Sequence, residues 1–400
     1  MPHESAKDTY RENTSRGGLP TWSYKNNEIT ELENELVFRR NWLMVGHIST
    51  IPNTGDYMTL DVADERAVVV RGTDGKVRTF HNLCRHRGSR VVPDQQGNCG
   101  KILTCPFHGW GYNLDGGLRG VPKPETFPDL DKSKLGLKPI EQEIWHGLVF
   151  IRFKGDGPSV AEIMAPMEEE IAPYRIEDML PYGEEWNVEL DVNWKSQMDV
   201  DNEGYHVAIA HPSLHDLFAA SYSDQSTDGQ KDRAAGAFDD GRKRRQWTVR
   251  HYVKLLPEVT HLPESHRKAW IYHGVFPSSR FEITPDMLNF YQFLPLSTGR
   301  SVVRSRSFVL PDDRREMRAA RYLNSRINRM TTAEDMQLIE WSNEGMNSSA
   351  FDELILSDLE VGVWDYHDKL RQLMPVLNLK EAPPEGTLAA LNQKLSKADE

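Results

Sequence analysis

The sequence predicts an α+β protein in which an all-β unit precedes a larger unit that mixes strands with helices. Between about residues 40 and 155, short apolar or alternating runs are separated by Gly, Asp, Asn and Pro, a pattern typical of antiparallel strands. Further along the chain, strand-like runs alternate with segments whose apolar residues recur every three to four positions, as on an amphipathic helix. The 400 residues suffice for two domains, each with its own core.

Composition and charge exclude several classes of protein. The net charge is −12, from 60 acidic and 48 basic residues, so there is no general attraction to nucleic acid or to an anionic membrane. Residues Met1–Tyr24 lack the apolar region of a secretory signal, and no run approaches the ~18 apolar residues of a membrane span. We therefore expect a cytoplasmic protein that binds neither nucleic acid nor membrane.

The individual elements follow from local patterns. Residues 25–42 predict an amphipathic helix that leads into the all-β unit. The clearest strands of that unit are predicted at Ala67–Arg71, Val77–His81, Lys101–Cys105 and Gly147–Phe153.

The second unit opens with predicted helices at Ser159–Ala172 and Ser196–Leu217, separated by a strand at Trp186–Trp194. Residues Ser221–Gln246 are rich in Asp, Gly, Lys and Arg, which predicts a mobile loop. The remaining predictions are strands at Trp247–Leu256, Ala269–Phe276, Met287–Leu294 and Ser301–Leu310, helices at Asp312–Asn343 and Ser349–Leu373, and a loose tail from Lys380.

Two short segments of the all-β unit each place one Cys beside one His. Cys84 and His86 form the first pair, and Cys105 and His108 form the second. Such a set could bind zinc, or could hold a 2Fe–2S cluster with both thiolates on one iron and both imidazoles on the other. Zinc fingers normally pair like ligands at each end, so the mixed pairs favour the cluster. Cys99 has no partner His and is predicted to be a free thiol.

A second set of candidate ligands lies in the predicted helix of residues 196–217. His206 and His211 are five positions apart, about 140° around an ideal helix, so both can bind one metal only if the helix is distorted or ends between them. Pro212 favours such a break. Glu203 lies one turn before His206, where its carboxylate can accept a hydrogen bond from a metal-bound imidazole. Two helical histidines are also common as structural or surface residues, so the pair alone leaves both roles open.

Taken together, these motifs resemble those of the Rieske non-haem iron oxygenases, specifically the alpha (terminal oxygenase) subunit of the aromatic-ring-hydroxylating type. The text CRHRG and CPFHGW resembles the Rieske motif, and residues 203–212 match the family's acidic residue, two positions, His, four positions, His and Pro. The resemblance covers about residues 40–370. It implies a Rieske 2Fe–2S cluster held by Cys84, His86, Cys105 and His108, and a mononuclear Fe(II) held by His206 and His211.

The resemblance also implies the domain plan. The all-β Rieske domain would span residues 40–155, and a catalytic domain of antiparallel sheet and helix, of the helix-grip (START-like) type, would span residues 156–380. Residues 1–39 would pack on the catalytic domain, and residues 381–400 would form the loose tail.

The iron needs one carboxylate to complete a two-His facial triad. The resemblance selects Asp335, from the Glu-Asp pair that precedes an apolar helical pattern. Glu334 and Glu340 are the alternatives. Thr331 with Glu334 also matches a capping box, and an Asp in the first turn of a helix is favoured without any metal.

In the family, the acidic residue joins an iron-ligating His of one subunit to a cluster-ligating His of its neighbour in a trimer. Carried over, Glu203 would connect His206 to His108 of an adjacent subunit. Most family members have Asp at this position, and Glu is typical of the branch that oxidises quaternary amines such as carnitine or glycine betaine. That branch usually has Cys where this chain has Gly204.

The activity implied is that of the terminal oxygenase of a multicomponent system. It would use O2 and electrons from NAD(P)H, delivered by a separate flavin and/or iron–sulfur reductase, to hydroxylate or oxidatively demethylate a quaternary amine, a betaine or an aromatic acid. Ring cis-dihydroxylation is the alternative reaction. A Rieske electron carrier without oxygenase activity is the alternative of another class, and it would need only the first domain.

Aromatic side chains on the strand-like runs could line a slot for a cation or a ring. Sequence alone singles out none of them, because most aromatic residues are core. They are Trp247, Tyr252, Trp270, Tyr272, Phe276, Tyr291 and Phe293, and the arginines that could pair with a substrate carboxylate are Arg250, Arg280 and Arg304.

Overall fold

The structure, a computed structural model, describes residues 17–226, 231–238, 241–351 and 353–397. Its sheets are antiparallel and are accompanied by helices, so the predicted α+β class is confirmed. None of the helices in these ranges combines the length and apolar character that a membrane crossing requires.

Three small sheets make up the first unit, and they confirm the predicted strands. Strand β4 is apolar on both faces: Ala67 and Val69 pack into a core shared with the second unit, while Val68 and Val70 pack beneath the Cys-His segments. The sheet orders are β5-β4-β3-β6, β7-β8-β9 and β10-β11-β2. The strands are β2 (Leu43–His47), β3 (Asp56–Val62), β4 (Glu65–Arg71), β5 (Val77–His81), β6 (Gln96–Asn98), β7 (Ile102–Thr104), β8 (Gly111–Asn113), β9 (Leu118–Gly120), β10 (Glu141–Trp145) and β11 (Leu148–Arg152).

A seven-stranded antiparallel sheet, in the order β12-β18-β17-β16-β15-β14-β13, forms the second unit. Its two faces pack against different cores: Ile271 and Val275 of one strand face one core, and Trp270 of the same strand faces the other. The strands are β12 (Leu180–Leu190), β13 (Ser223–Ser226), β14 (Lys231–Ala237), β15 (Ala269–Val275), β16 (Ser279–Ile283), β17 (Leu288–Ser297) and β18 (Arg300–Val309).

Helices accompany this sheet, and the longest of them carries Glu334 and Asp335 of the candidate site. A short two-stranded sheet, β1 (Gly17–Pro20) with β19 (Glu353–Ile355), lies apart from the large one. The helices are α1 (Asn27–Glu33), α2 (Val160–Met164), α3 (Glu168–Ile171), α4 (Trp194–Asp201), α5 (Val207–Ala210), α6 (Pro212–Phe218), α7 (Trp247–Leu255), α8 (Arg315–Met346), α9 (Val361–Leu373) and α10 (Leu388–Ser396).

Two sequence predictions in the middle of the chain were wrong. The supposed mobile loop of residues 221–246 contains strands β13 and β14; residues 227–230 and 239–240 lie outside the described ranges. Strand β14 pairs with β15 along its whole length, and a side chain at Gly236 would collide with Phe218, so small residues are required there by packing. The predicted strand at residues 247–256 is helix α7, because its buried Val249 and Tyr252 follow the helical period.

Other predictions were right in kind but wrong in extent. The helical stretch of residues 196–217 is divided between α4, α5 and α6, and the segment 349–373 begins with strand β19 before helix α9. The long helix predicted at 312–343 is confirmed as α8. Thr331 lies inside α8, where its hydroxyl donates to the Ile327 carbonyl, so it does not cap a helix.

Both ends of the described chain are anchored. Trp22 Nε1 donates to the Leu379 carbonyl at 2.9 Å, and Tyr24 donates its hydroxyl to Asp199 Oδ2 at 2.6 Å. The tail expected to be loose instead forms helix α10, whose Leu388 is fully buried and whose Asn392 accepts the Val376 N–H. Its apolar residues recur at helical spacing and join the main core, which explains the difference. Residues 1–16 and 398–400 of the predicted terminal segments lie outside the described residues.

Candidate active site

The two Cys-His segments adopt the same loop twice. In each, the Cys N–H donates to the carbonyl five residues later, Ser89 at 2.7 Å and Trp110 at 2.9 Å. Each loop also has a glycine in the left-handed region, Gly88 at φ 73° and Gly109 at φ 70°, whose N–H returns to the Cys carbonyl. The glycines of CRHRG and CPFHG are therefore required by the turns.

These loops bring the four predicted cluster ligands together. Cys84 and Cys105 are buried and interact with each other, while the rings of His86 and His108 lie 4.6 Å apart, centre to centre. The Nδ1 atom of His86 is buried and has no hydrogen-bond partner among the described residues. Two thiols and two imidazoles converging from opposite loops fit a Rieske cluster, and the His86 nitrogen is left for a ligand to satisfy.

Aromatic residues pack against this corner. Trp110 stacks on His86 at 4.9 Å, and the Tyr112 hydroxyl lies 3.2 Å from Cys84 Sγ while it accepts the Arg85 N–H. Burial raises the pKa of the Cys84 thiol, and the hydrogen bond to Tyr112 opposes that rise. His108 is exposed, which leaves one imidazole at the protein surface.

Three side chains that could hold a metal ion, those of His206, His211 and Asp335, converge in the second unit. Helix α5 ends at His211, so this residue and His206, just before the same helix, can face one point; their Nε2 atoms are 3.0 Å apart. Asp335, on helix α8, places Oδ1 2.8 Å from His211 Nε2 and 3.6 Å from His206 Nε2. Glu340, one of the alternative ligands, is exposed instead.

The other nitrogen of each imidazole donates to a carboxylate. His206 Nδ1 donates to Glu203 Oε1, and His211 Nδ1 donates to Glu334 Oε2 at 2.9 Å. Both Nε2 atoms therefore face the buried Oδ1 of Asp335, an arrangement that a metal cation between the three side chains would satisfy. This donor set fits a two-His-one-carboxylate Fe(II) site.

The charges of the site favour the same conclusion. Burial alone would lower the pKa of His206, but hydrogen bonds with Asp335 and Glu203 raise it to about 10. Burial would raise the pKa of Asp335, yet the two imidazoles hold it below its usual range. Binding of a divalent metal here would displace protons.

Sequence reasoning found only part of the wall of the cavity beside this centre: Tyr272, Arg280 and Tyr291 were among its candidates, whereas Tyr222 and Asp224 were not. The cavity has a volume of about 90 Å³, and its lining includes Tyr222, Asp224, Tyr272, Arg280 and Tyr291 as well as the three metal-binding residues. Tyr222 and Asp224 lie in the segment interpreted as a mobile loop, where no alternating pattern marks them. Trp270 and Tyr252, by contrast, are buried core residues.

Comparison with known proteins identifies the class. The family model of the Rieske [2Fe-2S] domain matches residues 41–134, and that of the ring hydroxylating alpha subunit (catalytic domain) matches residues 177–376. The chain therefore belongs to the family of Rieske ring-hydroxylating oxygenase alpha subunits. It is a terminal oxygenase, an oxidoreductase that uses O2, and its two domains bind a Rieske cluster and a mononuclear iron.

Individual relatives include both monooxygenases and dioxygenases. The glycine betaine monooxygenase oxygenase subunit of Chromohalobacter salexigens is 28% identical over 399 residues, which cover 91% of this chain and 87% of that protein. The 2-aminobenzenesulfonate 2,3-dioxygenase subunit alpha of an Alcaligenes species is 30% identical over 309 residues, covering 74% and 76%. The crystal structure of the quaternary ammonium Rieske monooxygenase CntA with L-carnitine has the same fold, with a TM-score of 0.73 at 21% identity over 89% of this chain and 95% of that one.

Proposed function

We propose that this chain is the terminal oxygenase of a system that hydroxylates or oxidatively demethylates a small organic substrate, with a quaternary amine or betaine as the first choice and an aromatic acid as the second. The observation that carries this proposal is the convergence of His206, His211 and Asp335 on one point in the wall of a cavity. Glu at position 203 and the glycine betaine relative support the quaternary amine.

The ligand assignment is part of the proposal. Cys84 and Cys105 would hold one iron of the cluster, and His86 and His108 would hold the other. His206, His211 and Asp335 would hold the mononuclear iron. When bound, these groups supply electron storage and O2 activation.

Glu203 would connect the two centres between subunits of a homotrimer. It accepts a hydrogen bond from His206 Nδ1, and only 9% of its side chain is exposed. A group of a neighbouring subunit could therefore bind it only by approaching that exposed part. Exposed residues surround both ends of the proposed connection: Phe107 (55% exposed) adjoins His108, and Tyr205 (58%) and Ile209 (88%) adjoin His206. Contact between these two patches in neighbouring subunits would place His108 beside Glu203.

The reaction balances with one molecule of O2. One oxygen atom is inserted into a C–H bond, and the other leaves as water with two electrons from NAD(P)H and two protons. On an N-methyl group, the hydroxymethyl product breaks its C–N bond to give formaldehyde and the demethylated amine. We propose that a separate flavin and/or iron–sulfur reductase supplies the electrons, and that the protein acts in the cytoplasm.

Ring cis-dihydroxylation is the second candidate, favoured by the relationship to a 2,3-dioxygenase and by the tyrosines of the cavity. Oxygen uptake by the reduced holoenzyme, measured with a panel of betaines and aromatic acids, tests both. Substrate-dependent uptake with formaldehyde release supports demethylation, and a cis-diol product supports the second candidate. The absence of substrate-dependent uptake across the panel, with both metal sites filled, would contradict the proposed function.

A further inference from the structure

Gly204, next to the carboxylate Glu203, has no space for a side chain. A Cβ atom at this position would lie 2.0 Å from Cε1 of Tyr222 and 2.7 Å from Oδ2 of Asp224. The first contact is with a ring that is itself packed in the cavity wall, so the ring would have to move. Tyr222 therefore occupies the place that a residue-204 side chain would take.

Asp224, two residues after Tyr222, holds this arrangement in place. Its Oδ2 accepts the backbone N–H of Gly204 at 2.7 Å, and its carboxylate also accepts the phenol of Tyr222. Asp224 of strand β13 and Tyr222, which immediately precedes that strand, thus place one carboxylate and one aromatic ring in the wall of the cavity, close to the proposed iron ligands.

Asp224 differs from the acidic residues near it in how its charge is paired. Arg280 makes ion pairs with both Asp201 and Asp232. Among the side chains that the structure describes, which do not include that of Lys231, no Lys or Arg nitrogen lies within 4 Å of Asp224. The cavity wall therefore carries one carboxylate, that of Asp224, which none of the described Lys and Arg side chains pairs with.

Arg233, the second arginine of the cavity wall, does not neutralise the carboxylate of Asp224. Its guanidinium binds Glu170 through two hydrogen bonds, of 2.8 and 2.6 Å. Burial raises the pKa of Asp224 to about 6, which still leaves the group mostly ionised at neutral pH.

We propose that Asp224 and the ring of Tyr222 are specificity-determining residues that recognise the positively charged end of an alkylammonium substrate. This inference deepens the proposed function and rests on it. A carboxylate attracts a quaternary ammonium by charge, and the electron-rich face of a tyrosine ring attracts it by cation–π interaction without requiring a hydrogen-bond donor. Tyr272 and Tyr291 add further aromatic surface to the same cavity.

The test compares two ligands of nearly equal shape, choline and 3,3-dimethylbutan-1-ol, in which carbon replaces the charged nitrogen. Binding to the reduced holoenzyme is measured by anaerobic calorimetry, so that the readout is independent of turnover. We expect the wild type to bind choline at least about tenfold more tightly than the alcohol. Asp224→Asn should reduce that preference to about twofold or less, by weakening choline binding and leaving alcohol binding unchanged.

Controls separate recognition from folding. The absorption of the cluster and the iron content must match those of the wild type. Asp191→Asn, which removes an acid with a 94% exposed side chain, should keep the full preference for choline. An equal loss of affinity for the two compounds in Asp224→Asn would overturn the inference. So would a wild type that shows no preference for choline or binds neither compound.

A second pair of variants tests the packing. Gly204→Ala should displace the Tyr222 ring and lower choline binding severalfold, whereas Gly204→Ala with Tyr222→Ala should show no further loss relative to Tyr222→Ala alone. Additive losses would contradict contact between the two positions. An enzyme that oxygenates aromatic acids and does not bind choline would overturn this inference while the oxygenase function stands.

Discussion

His206 donates its Nδ1 proton to Glu203, and this hydrogen bond fixes the imidazole so that its Nε2 faces His211 and Asp335. Glu203 also accepts the His206 backbone N–H at 3.1 Å, so both carboxylate oxygens are engaged by one residue. The carboxylate proposed to connect subunits is thus also the group that orients His206, a proposed iron ligand.

Replacing Glu203 by Ala should separate electron delivery from metal binding. Both metal sites should remain filled, because the replaced group is not a ligand, but reduction of the mononuclear site by the prereduced cluster should slow by at least about a hundredfold. Single-turnover kinetics followed by the cluster absorption measures this rate. A normal rate in the variant would remove the bridging role.

Asp335→Ala should lose the mononuclear iron and keep the cluster. The carboxylate is the only anionic group in contact with both Nε2 atoms among the described residues, so its loss leaves two neutral ligands. Iron content and the visible spectrum together give the result. Glu340→Gln, an exposed acid on the same helix, serves as the control; unchanged iron in Asp335→Ala would reassign the ligand.

Glu334→Ala should weaken the mononuclear site without abolishing it. Glu334 accepts from His211 Nδ1 at 2.9 Å, and loss of such a partner typically lowers metal affinity about 10- to 100-fold. Competition for iron with a chelator of known affinity measures the change. Unaltered affinity would show that His211 is oriented by packing alone.

Tyr112→Phe should lower the reduction potential of the cluster by tens of millivolts, since a hydroxyl 3.2 Å from Cys84 stabilises the additional negative charge of the reduced form. Redox titration followed by electron paramagnetic resonance measures the potential. Tyr322→Phe, at an exposed position on helix α8, should leave it unchanged. An unshifted potential in Tyr112→Phe would exclude this hydrogen bond as a determinant.

Glu282 predicts a pH dependence of stability. Burial raises the pKa of this carboxyl from 4.5 to about 7, although Asn289 and Asn328 donate hydrogen bonds to it. Between about pH 4.5 and 7 the folded protein holds a proton that the unfolded chain releases, so the stability contributed by this site falls as pH rises.

Glu282→Gln keeps a carbonyl acceptor for both asparagines and cannot ionise. It should therefore exceed the wild type in stability by up to about 3 kcal/mol at pH 8 and by little at pH 4.5. Urea unfolding at the two pH values gives the difference, with Glu189→Gln as the exposed control. An equal difference at both values would show that Glu282 does not titrate in this range.

The parts of the structure that local pattern determines were predictable. The Cys-His loops and the Glu203–His211 segment follow from short motifs, and the strands around Val68 and Phe150 follow from apolar runs. Helix α8 was predicted within a few residues, because its 32 positions repeat the helical period.

The parts that pairing and packing determine were not predictable. Strand β14 contains Ala234 and Gly236, which have low strand propensity, and it exists because β15 supplies a full ladder of partners. Tyr222 and Asp224 were missed for the same reason, because the direction of a side chain cannot be predicted for a segment that is interpreted as a loop. Helix α10 likewise depends on a groove that the rest of the fold creates.

The most direct test is an assay of iron and acid-labile sulfide in the purified, anaerobically reconstituted chain, combined with electron paramagnetic resonance of its reduced form. We expect two irons and two sulfides in a cluster whose low average g value reports nitrogen ligation, together with one further ferrous ion per chain. A colourless protein that binds zinc, or a chain with the cluster and no third iron, would contradict the account.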